Sequence, residues 1–254
     1  MKTPRLFLPI AWMVFLVIWG AGCKDSARQF GELTALAGDK TDKGIFGHGF
    51  TEVYERFFYP LKYEPIRICE IGIDKGDSLR LWEKYFPKAS IYGIDIADKS
   101  FLNSKRIHTF VADQGSRNKL RQFLRTFGNA YDIVLDDGGH YMNLQQISFA
   151  FLFPAVKPGG LYIIEDVHTS LPQFYHGFDV DPDGANSTLR MIHRFTETGK
   201  IESPYMTRDE IRYLNQNIEY AVLFAKNSRQ HSMTCIFRKV KREPGPSSPV
   251  RSFR

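Results

Sequence analysis

Cysteine is scarce in this chain, whose 254 residues contain only Cys23, Cys69 and Cys235. An odd count without paired spacing excludes a disulfide framework and a cysteine-based zinc site. Cys69 and Cys235 lie within apolar runs typical of strands, where a free thiol behaves as a small hydrophobic side chain. We therefore expect structural thiols in a reducing compartment.

Positive charge is scarce in the body of the chain, although the formal net charge is +6. The first 24 residues contribute a net +3 and residues 238–254 a net +5, so residues 25–237 carry a net −2. A nucleic-acid channel needs basic groups on the folded surface rather than at the chain ends. We expect no nucleic-acid partner.

The composition excludes a disordered or fibrous protein, because 43% hydrophobic and 24% charged residues are close to the globular average. The length fits one catalytic domain, which we place at residues 25–240. Residues 241–254 combine proline, serine and basic residues with too little apolar material to pack. We predict that they form a disordered basic tail.

Long apolar runs are confined to the amino terminus, where residues 6–22 carry no charge and follow Lys2 and Arg5. This run is long for the hydrophobic part of a signal peptide and slightly short for a membrane-spanning helix, which needs about 20 residues. We predict that residues 1–24 are a hydrophobic leader or a membrane anchor. Cleavage before Cys23, as in a signal peptide or a bacterial lipoprotein, and a wrongly assigned start codon are the alternatives.

From residue 66 onward, short apolar runs alternate with longer amphipathic ones, which is typical of βαβ units around a mainly parallel sheet. The sequence therefore predicts a doubly wound α/β fold. The predicted strands are residues 66–71, 90–95, 107–111, 131–136, 160–165, 218–226 and 232–239. The predicted helices are 77–86, 117–127, 141–153 and 187–198, with 27–36 and 51–58 expected to cap a ligand cleft. Pro158-Gly159-Gly160 is predicted to form a turn before the fifth strand.

A glycine-containing loop, residues 70–78, follows the first predicted strand and leads directly into a helix. Ligands of open α/β sheets bind at the carboxyl ends of strands, where glycine lets the backbone approach closely. The second strand ends in Asp95, where such folds bind a ribose with a carboxylate. Together these features indicate a cofactor site, whereas the loop alone could be an ordinary turn.

Acidic residues end the fourth and fifth predicted strands, in Asp136-Asp137-Gly138-Gly139-His140 and Glu165-Asp166-Val167-His168. Carboxylates at the ends of buried strands cost free energy through desolvation and repulsion unless a cation compensates. Carboxylate oxygens suit a hard ion such as magnesium. If the strands are neighbours, three of these carboxylates could converge on one ion with an imidazole close by.

These residues also have structural interpretations. Asp136 or Asp166, taken singly, could cap the helix that follows. A lone histidine such as His168 or His193 is more often a surface or core side chain than a ligand. His140 differs because glycines leave it room and two acids precede it.

These features resemble the macrocin and mycinamicin type of sugar O-methyltransferase over about residues 41–169. The matching residues are Thr41-Asp42-Lys43-Gly44, His48-Gly49-Phe50, Tyr54, Glu70-Ile71-Gly72, Ser78-Leu79-Arg80-Leu81-Trp82, Phe86-Pro87, Tyr92-Gly93-Ile94-Asp95-Ile96, Asp113-Gln114, residues 136–140 and residues 165–170. The resemblance implies a seven-stranded, Rossmann-like class I methyltransferase fold. It also implies S-adenosylmethionine and Mg²⁺, or another divalent cation, as cofactors.

The resemblance also implies roles for individual residues. The implied cofactor-binding residues are Glu70, Gly72, Ser78, Asp95, Asp113, Gln114 and Asp136. The implied metal ligands are Asp137, Glu165 and Asp166, with His140 as the general base. Gly139 stands where the family usually has serine, and residues between His168 and Arg190, which should face the acceptor, follow the family pattern poorly.

We therefore predict a metal-dependent O-methyltransferase that acts on a hydroxyl of a sugar or vicinal diol, in a glycosylated metabolite or a glycan. An NAD(P)-dependent oxidoreductase is a second hypothesis, although Gly72 and Gly76 do not form the usual three-glycine fingerprint. A non-catalytic, membrane-tethered binding protein is a third.

Two features of the sequence predict opposite cellular locations for the catalytic domain. The positive residues before the apolar run would place the amino terminus in the cytoplasm and export the domain. S-adenosylmethionine is made in the cytosol, so we expect membrane association through residues 6–22 with the catalytic domain on the cytosolic side. The sequence predicts no particular oligomeric state.

Overall fold

The computed structural model of the chain describes residues 31–178, 183–226 and 232–241. The predicted leader, the first four residues of the predicted helix 27–36 and most of the predicted tail lie outside these described residues. In the described part of the chain, no helix has both the length and the apolar character needed to span a membrane.

A seven-stranded sheet forms the centre of the molecule. Its strands are β1 (Arg67–Ile71), β2 (Ser90–Asp95), β3 (Ile107–Val111), β4 (Tyr131–Asp136), β5 (Val156–Ile164), β6 (Ile218–Ala225) and β7 (Met233–Lys239). The order is β3-β2-β1-β4-β5-β7-β6. Strands β1 to β5 pair in parallel, and β7 runs antiparallel to both β5 and β6. The predicted mainly parallel, seven-stranded α/β sheet is confirmed.

Helices cover both faces of this sheet. They are α1 (Glu32–Ala37), α2 (Phe50–Phe58), α3 (Asp77–Tyr85), α4 (Arg117–Phe127), α5 (Met142–Leu152), α6 (Tyr175–Phe178), α7 (Thr188–Thr198) and α8 (Arg208–Asn217). Short 3-10 helices lie at Tyr59–Leu61, Ser100–Leu102, Phe153–Ala155, Val167–Ser170 and Pro172–Phe174.

Helix α8 is absent from the helices that the sequence pattern predicts. Its first turn has a capping box, in which the Thr207 hydroxyl accepts a hydrogen bond from Glu210 N at 3.2 Å. The Glu210 side chain in turn accepts one from Thr207 N at 2.7 Å. The spacing of a threonine three residues before a glutamate is the sequence signal that would have predicted this helix.

Two hydrophobic clusters form the core, one on each face of the sheet. Helices α1, α2 and α3 pack on one face, where Tyr54 and Trp82 are fully buried. Helices α4, α5, α7 and α8 pack on the other, which contains Phe149 and both described cysteines. Because successive strand residues point to opposite faces, each inner strand supplies side chains to both clusters. Cys69 and Cys235 are buried free thiols, as expected, and burial raises the pKa of both.

Strand β5 corrects one local prediction. Pro158-Gly159-Gly160 was expected to form a turn before the strand, but β5 begins at Val156 and includes these residues. The pairing of β4 with β5 changes register between Tyr131 and Ile133, so the missing proline N–H falls in an irregular part of the ladder.

Candidate active site

A cavity of about 700 Å³ opens at the carboxyl ends of β1, β2 and β4. This is the usual position of the ligand crevice in an open α/β sheet, beside the point where strand order reverses. Residues 39–43, which precede α2, form part of its wall. Five predicted cofactor-binding residues line the cavity: Gly72, Ser78, Asp95, Asp113 and Gln114.

Gly72 joins the ends of β1 and β4 at the floor of this cavity. Its φ of 83° lies in the left-handed region, and an added Cβ would lie 2.0 Å from the carbonyl oxygen of Asp137. Glycine is therefore required for this close approach of two strand ends. The approach places the backbone of the acidic loop directly against the cofactor loop.

Asp95 holds the cofactor loop from the end of β2. Its carboxylate accepts hydrogen bonds from Ile73 N at 2.9 Å, Asp74 N at 3.3 Å and Ala97 N at 2.8 Å. Asp74 itself has a positive φ of 44°. The carboxylate therefore lies at the cavity wall in a fixed orientation, as a ribose-binding acid would need.

Asp136 lies beneath the cavity rather than in its lining. Its carboxylate accepts hydrogen bonds from Gln114 Nε2 at 3.1 Å, from the Tyr162 hydroxyl at 3.2 Å and from the Ser148 hydroxyl. Burial raises the pKa of Asp136 to about 6. Gln114 in turn accepts a hydrogen bond from Gly139 N at 2.7 Å, so Asp136 supports the acidic loop through Gln114. A direct contact between Asp136 and a cofactor stays a prediction.

Glu70, at the end of β1, is also fully buried and outside the cavity lining. Its Oε2 accepts a hydrogen bond from the Trp82 indole at 2.7 Å. Burial raises the pKa of Glu70 to about 7, and the nearby ammonium of Lys43 opposes that rise. The predicted contact of Glu70 with a cofactor likewise stays a prediction, because its observed contacts are within the protein.

A buried lysine, Lys43, binds the acids that end β4 and β5. Its Nζ donates to Asp137 Oδ2 and, at 2.8 Å, to Glu165 Oε2, and lies 3.6 Å from Glu70 Oε1. The Lys43 side chain is only 1% exposed. Nothing in the chemistry of the sequence predicted a site role for Lys43. The residue lies, however, within the Thr41-Asp42-Lys43-Gly44 motif that supported the resemblance.

Acidic groups outnumber the one ammonium in this cluster. Burial lowers the pKa of Lys43, but Asp137, Glu165 and Glu70 outweigh that effect and raise it well above its ordinary value. Burial raises the pKa of Asp137 and of Glu165, and the ammonium of Lys43 opposes both rises. With Asp166 nearby, four carboxyl groups share one ammonium, so the cluster can accept additional positive charge.

Asp137 and Asp166, with the His140 imidazole beside them, form the part of the cluster best arranged around a metal ion. Each offers one ligand atom, and these atoms lie within 4.8 Å of one another. His140 and Asp166 have positive φ values of 56° and 51°, an uncommon conformation for residues other than glycine. The backbone at the ends of β4 and β5 therefore turns these two side chains toward a shared space.

Glu165 lies beside this trio. Its Oε2 binds Lys43, and its Oε1 accepts a hydrogen bond from the Tyr54 hydroxyl at 2.8 Å. The structure thus brings all three predicted metal ligands to one place, but protein groups hold both oxygens of Glu165. The ligand role of Glu165 stays a prediction.

Curated proteins similar in sequence to this chain are O-methyltransferases, which agrees with the geometry of the site. No protein-family model matches the chain. Mycinamicin VI 2''-O-methyltransferase from Micromonospora griseorubida is 39% identical over 177 residues, which are 66% of this chain and 43% of that protein. Demethylmacrocin O-methyltransferase from Streptomyces fradiae is 40% identical over 179 residues, covering 68% of this chain and 44% of that protein. The chain thus spans less than half the length of these curated relatives.

A solved structure gives a similar result. The MycE methyltransferase from the mycinamycin biosynthetic pathway, in complex with Mg, SAH and mycinamycin VI, matches 85% of this chain with a TM-score of 0.65 and 33% identity. The match covers 56% of the MycE chain. The chain has the class I methyltransferase fold. The predicted resemblance to the macrocin and mycinamicin type of sugar O-methyltransferase is confirmed.

The cavity and the acid cluster fit the two groups that the resemblance to these sugar O-methyltransferases implies, a methyl donor and a divalent cation. A volume of about 700 Å³ lies within the range of about 300–1,000 Å³ that small-molecule sites occupy. Asp166 Oδ1 is buried and has no hydrogen-bond partner in the described part of the chain. A buried carboxylate oxygen without a hydrogen bond, within a cluster of acids that outnumber their one ammonium, suits a divalent cation that prefers oxygen ligands.

Three imidazoles surround Asp166. His140 Nε2 lies 3.5 Å from Asp166 Oδ2, while His168 Nδ1 and His48 Nδ1 lie 3.6 Å and 3.8 Å from Oδ1. The sequence favoured a surface or core role for His168, but the residue lies beside the candidate site. The sequence patterns indicated no role for His48, which lies there as well. His193 is 68% exposed on α7, which agrees with the surface interpretation.

Proposed function

We propose that the chain is an S-adenosylmethionine-dependent, divalent-metal-dependent O-methyltransferase that acts on a sugar hydroxyl. The convergence of Asp137, His140 and Asp166 beside a cavity at the strand ends carries this proposal. Side chains that could hold a cation thus lie next to a space large enough for a cofactor. The named relatives are methyltransferases, which supports this function over an oxidoreductase or a non-catalytic binding protein.

Asp137 and Asp166, with Glu165 beside them, are the residues that would hold the metal. A bound divalent cation would lower the pKa of an alkyl hydroxyl, which is otherwise a poor nucleophile near neutral pH. By holding the cation, these carboxylates would also set where the acceptor hydroxyl lies. Positioning of the two reactants is itself a large part of such catalysis.

His140 is placed to act as the general base. Its Nε2 faces Asp166 Oδ2 at 3.5 Å, which is longer than a good hydrogen bond, so that carboxylate does not occupy the nitrogen. Its side chain is 24% exposed, and the residue lines the cavity. A hydroxyl held at Asp166 would therefore lie near Nε2, which can accept the proton as the oxygen attacks the sulfonium methyl group. The bond between sulfur and methyl carbon then breaks, and S-adenosylhomocysteine is the leaving group.

The acceptor that we propose is a glycosylated small molecule, either a metabolite or a glycan. The relatives are named for methylating mycinamicin VI, demethylmacrocin and, in a Streptomyces olivaceus protein 40% identical over 155 residues, a rhamnosyl tetracenomycin. That third match covers 58% of this chain and 40% of the relative. Membrane association through residues 6–22 and a cytosolic catalytic domain are proposed on sequence grounds, because those residues lie outside the described ranges.

The test is to incubate the full chain with methyl-labelled S-adenosylmethionine, Mg²⁺ and a panel of glycosides. Each glycoside is paired with a version in which one hydroxyl is already methylated. We expect labelled product from at least one glycoside, none from its blocked partner, and none in the presence of a chelator. Absence of metal-dependent transfer to every acceptor, or thermal stabilisation by NAD(P) but not by the methyl donor, would contradict the proposal.

A further inference from the structure

The mechanism outlined above leaves one buried charge without a role. The Lys43 ammonium lies between Asp137 and Glu165, on the same carboxylates that the metal would use. It comes from a distant part of the chain, 94 residues before Asp137 and 122 before Glu165. A buried lysine is usually paired with an opposite charge, and here the paired carboxylates are the ones that the metal would use.

The same short segment engages both oxygens of Glu165. Lys43 binds Oε2 just before α2, and Tyr54, within α2, donates to Oε1. The backbone links the two, because the Lys43 carbonyl accepts a hydrogen bond from Thr51 N at 3.1 Å in the first turn of α2. Lys43 is therefore held in place at the start of α2 and directed into the acid cluster.

The ammonium and a divalent cation make competing demands on this cluster. Asp137 Oδ2 and Glu165 Oε2 are already bound to Lys43. The group of ligand atoms that lie within 4.8 Å of one another includes Asp137 and Asp166 but leaves out Glu165. A metal ion that recruits Glu165 would therefore lie next to the ammonium, and two neighbouring cations in a buried site repel each other strongly.

Lys43 also has a space into which its ammonium could move. The residue lines the cavity together with Asp39 and Asp42, two acids from its own segment. These carboxylates could receive the ammonium if it left Glu165. Lys43 therefore borders a polar cavity wall rather than an enclosure of apolar groups.

We propose that Lys43 is a built-in counter-ion, which holds Asp137 and Glu165 together in the metal-free protein and competes with the divalent cation for them. This inference rests on the proposed metal dependence. Lys43 is a positioning residue here, because it touches the carboxylates and not the reacting atoms. Its presence makes the metal site less repulsive before the ion binds and lowers the affinity for the ion.

The test compares Lys43→Met with the wild-type full chain by calorimetric titration with Mn²⁺ and Mg²⁺ and by thermal unfolding in chelator. We expect the variant to bind Mn²⁺ at least about tenfold more tightly and to unfold at a lower temperature when metal-free. Saturating metal should raise its unfolding temperature by more than it raises that of the wild type, because stabilisation by a ligand grows with the logarithm of its concentration divided by Kd. Lys43→Gln, which keeps N–H donors but no charge, carries the same expectation with less disturbance of the fold.

Lys239→Met is the matched control, because Lys239 is also buried but lies among backbone carbonyls. Its metal affinity should equal that of the wild type. Metal affinity that is unchanged or weaker in both Lys43 variants would overturn the inference, as would the binding of no divalent cation by any variant. Absence of methyl transfer with the affinity shift intact would count against the proposed function alone.

Discussion

Two buried lysines differ in their surroundings, and the difference identifies the candidate site. Lys43 is 1% exposed and bound by carboxylates. Lys239 is 6% exposed and donates to the backbone carbonyls of Phe153, Pro154 and Val156 at 3.3, 3.0 and 2.7 Å. Within the described ranges, no carboxylate forms a salt bridge with Lys239.

The two environments move the pKa of lysine in opposite directions. Burial lowers the pKa of Lys239 to about 8, whereas the surrounding carboxylates raise that of Lys43 despite its burial. Lys239 thus joins the end of β7 to residues 153–156. Its burial disfavours the charged form of the side chain, as the lowered pKa indicates. Lys43 instead relieves repulsion among acids that exceed it in number, which is the condition that favours a further cation.

Of the substitutions considered, Asp137→Asn should have the largest effect, because it changes the acidic surroundings that distinguish Lys43 from Lys239. It removes one of the carboxylates that Lys43 and the metal would share, so we expect turnover to be abolished and metal affinity to fall at least about 100-fold. Calorimetry should show cofactor affinity largely kept. Asp132→Asn is the control, because Asp132 lies in β4, just before Asp137 in the chain, but binds Lys157 and Arg67 N. It should keep its metal affinity. Unchanged metal binding by Asp137→Asn would refute the ligand assignment.

His140→Ala should separate proton transfer from cation binding. Loss of the general base should lower turnover by about 10²–10⁴-fold, while metal and cofactor affinities stay within a few-fold of the wild type. Labelled methyl transfer and calorimetry measure the two effects separately. His193→Ala, at an exposed position on α7, should behave as wild type. Full activity of His140→Ala would exclude the residue as the base.

Gly72→Ala should disturb the acid cluster through the backbone. The positive φ and the contact with the Asp137 carbonyl both oppose a Cβ, so we expect a loss of stability of about 2–4 kcal/mol and weaker cofactor binding. Gly199→Ala is the matched control, because its φ is also positive but no atom lies within 4 Å of the added Cβ. It should cost only about 1 kcal/mol. Equal costs in denaturant titrations would show that the close approach at Gly72 is unimportant.

Lys239→Met should have the smallest effect and none on the metal site. Leaving three carbonyls without their donor should cost about 1–3 kcal/mol of stability, whether or not Mg²⁺ is present. Because the folded pKa is lowered to about 8 from 10.5, the unfolded wild type binds more protons between these values, and its stability should rise with pH there. Denaturant titrations between pH 8 and 10.5 should show a flatter profile for the variant. If the stability of the variant rose as steeply with pH as that of the wild type, Lys239 would not be the group whose lowered pKa causes this dependence.

The parts of the site that depend on strand ends could be predicted from the sequence. Acids at the carboxyl ends of neighbouring parallel strands meet at one edge of the sheet, so the positions of Asp137, Glu165 and Asp166 in the chain were enough to group them. Strand alternation also explains why the adjacent acids Asp136 and Asp137 point to different faces. Applying that rule to the Asp136-Asp137 pair would have separated the buried supporting acid from the one in the cavity wall.

Contacts between residues far apart in the chain could not be predicted from local sequence patterns. Lys43 reaches its partners across 94 and 122 residues, and no periodicity encodes that distance. The side chains of Glu70 and Asp136 were assigned to a cofactor because of their position at strand ends. Their hydrogen bonds to Trp82 and Ser148 depend on how helices α3 and α5 pack on the sheet, which residue spacing alone does not specify.

The most direct test of the acid cluster is anomalous diffraction from crystals of the full chain grown with Mn²⁺ and the demethylated cofactor. The account predicts one manganese peak bound by the carboxylates of Asp137 and Asp166, with His140 beside it and cofactor density in the cavity lined by Gly72 and Asp95. Cofactor in that cavity without manganese at these acids would contradict it.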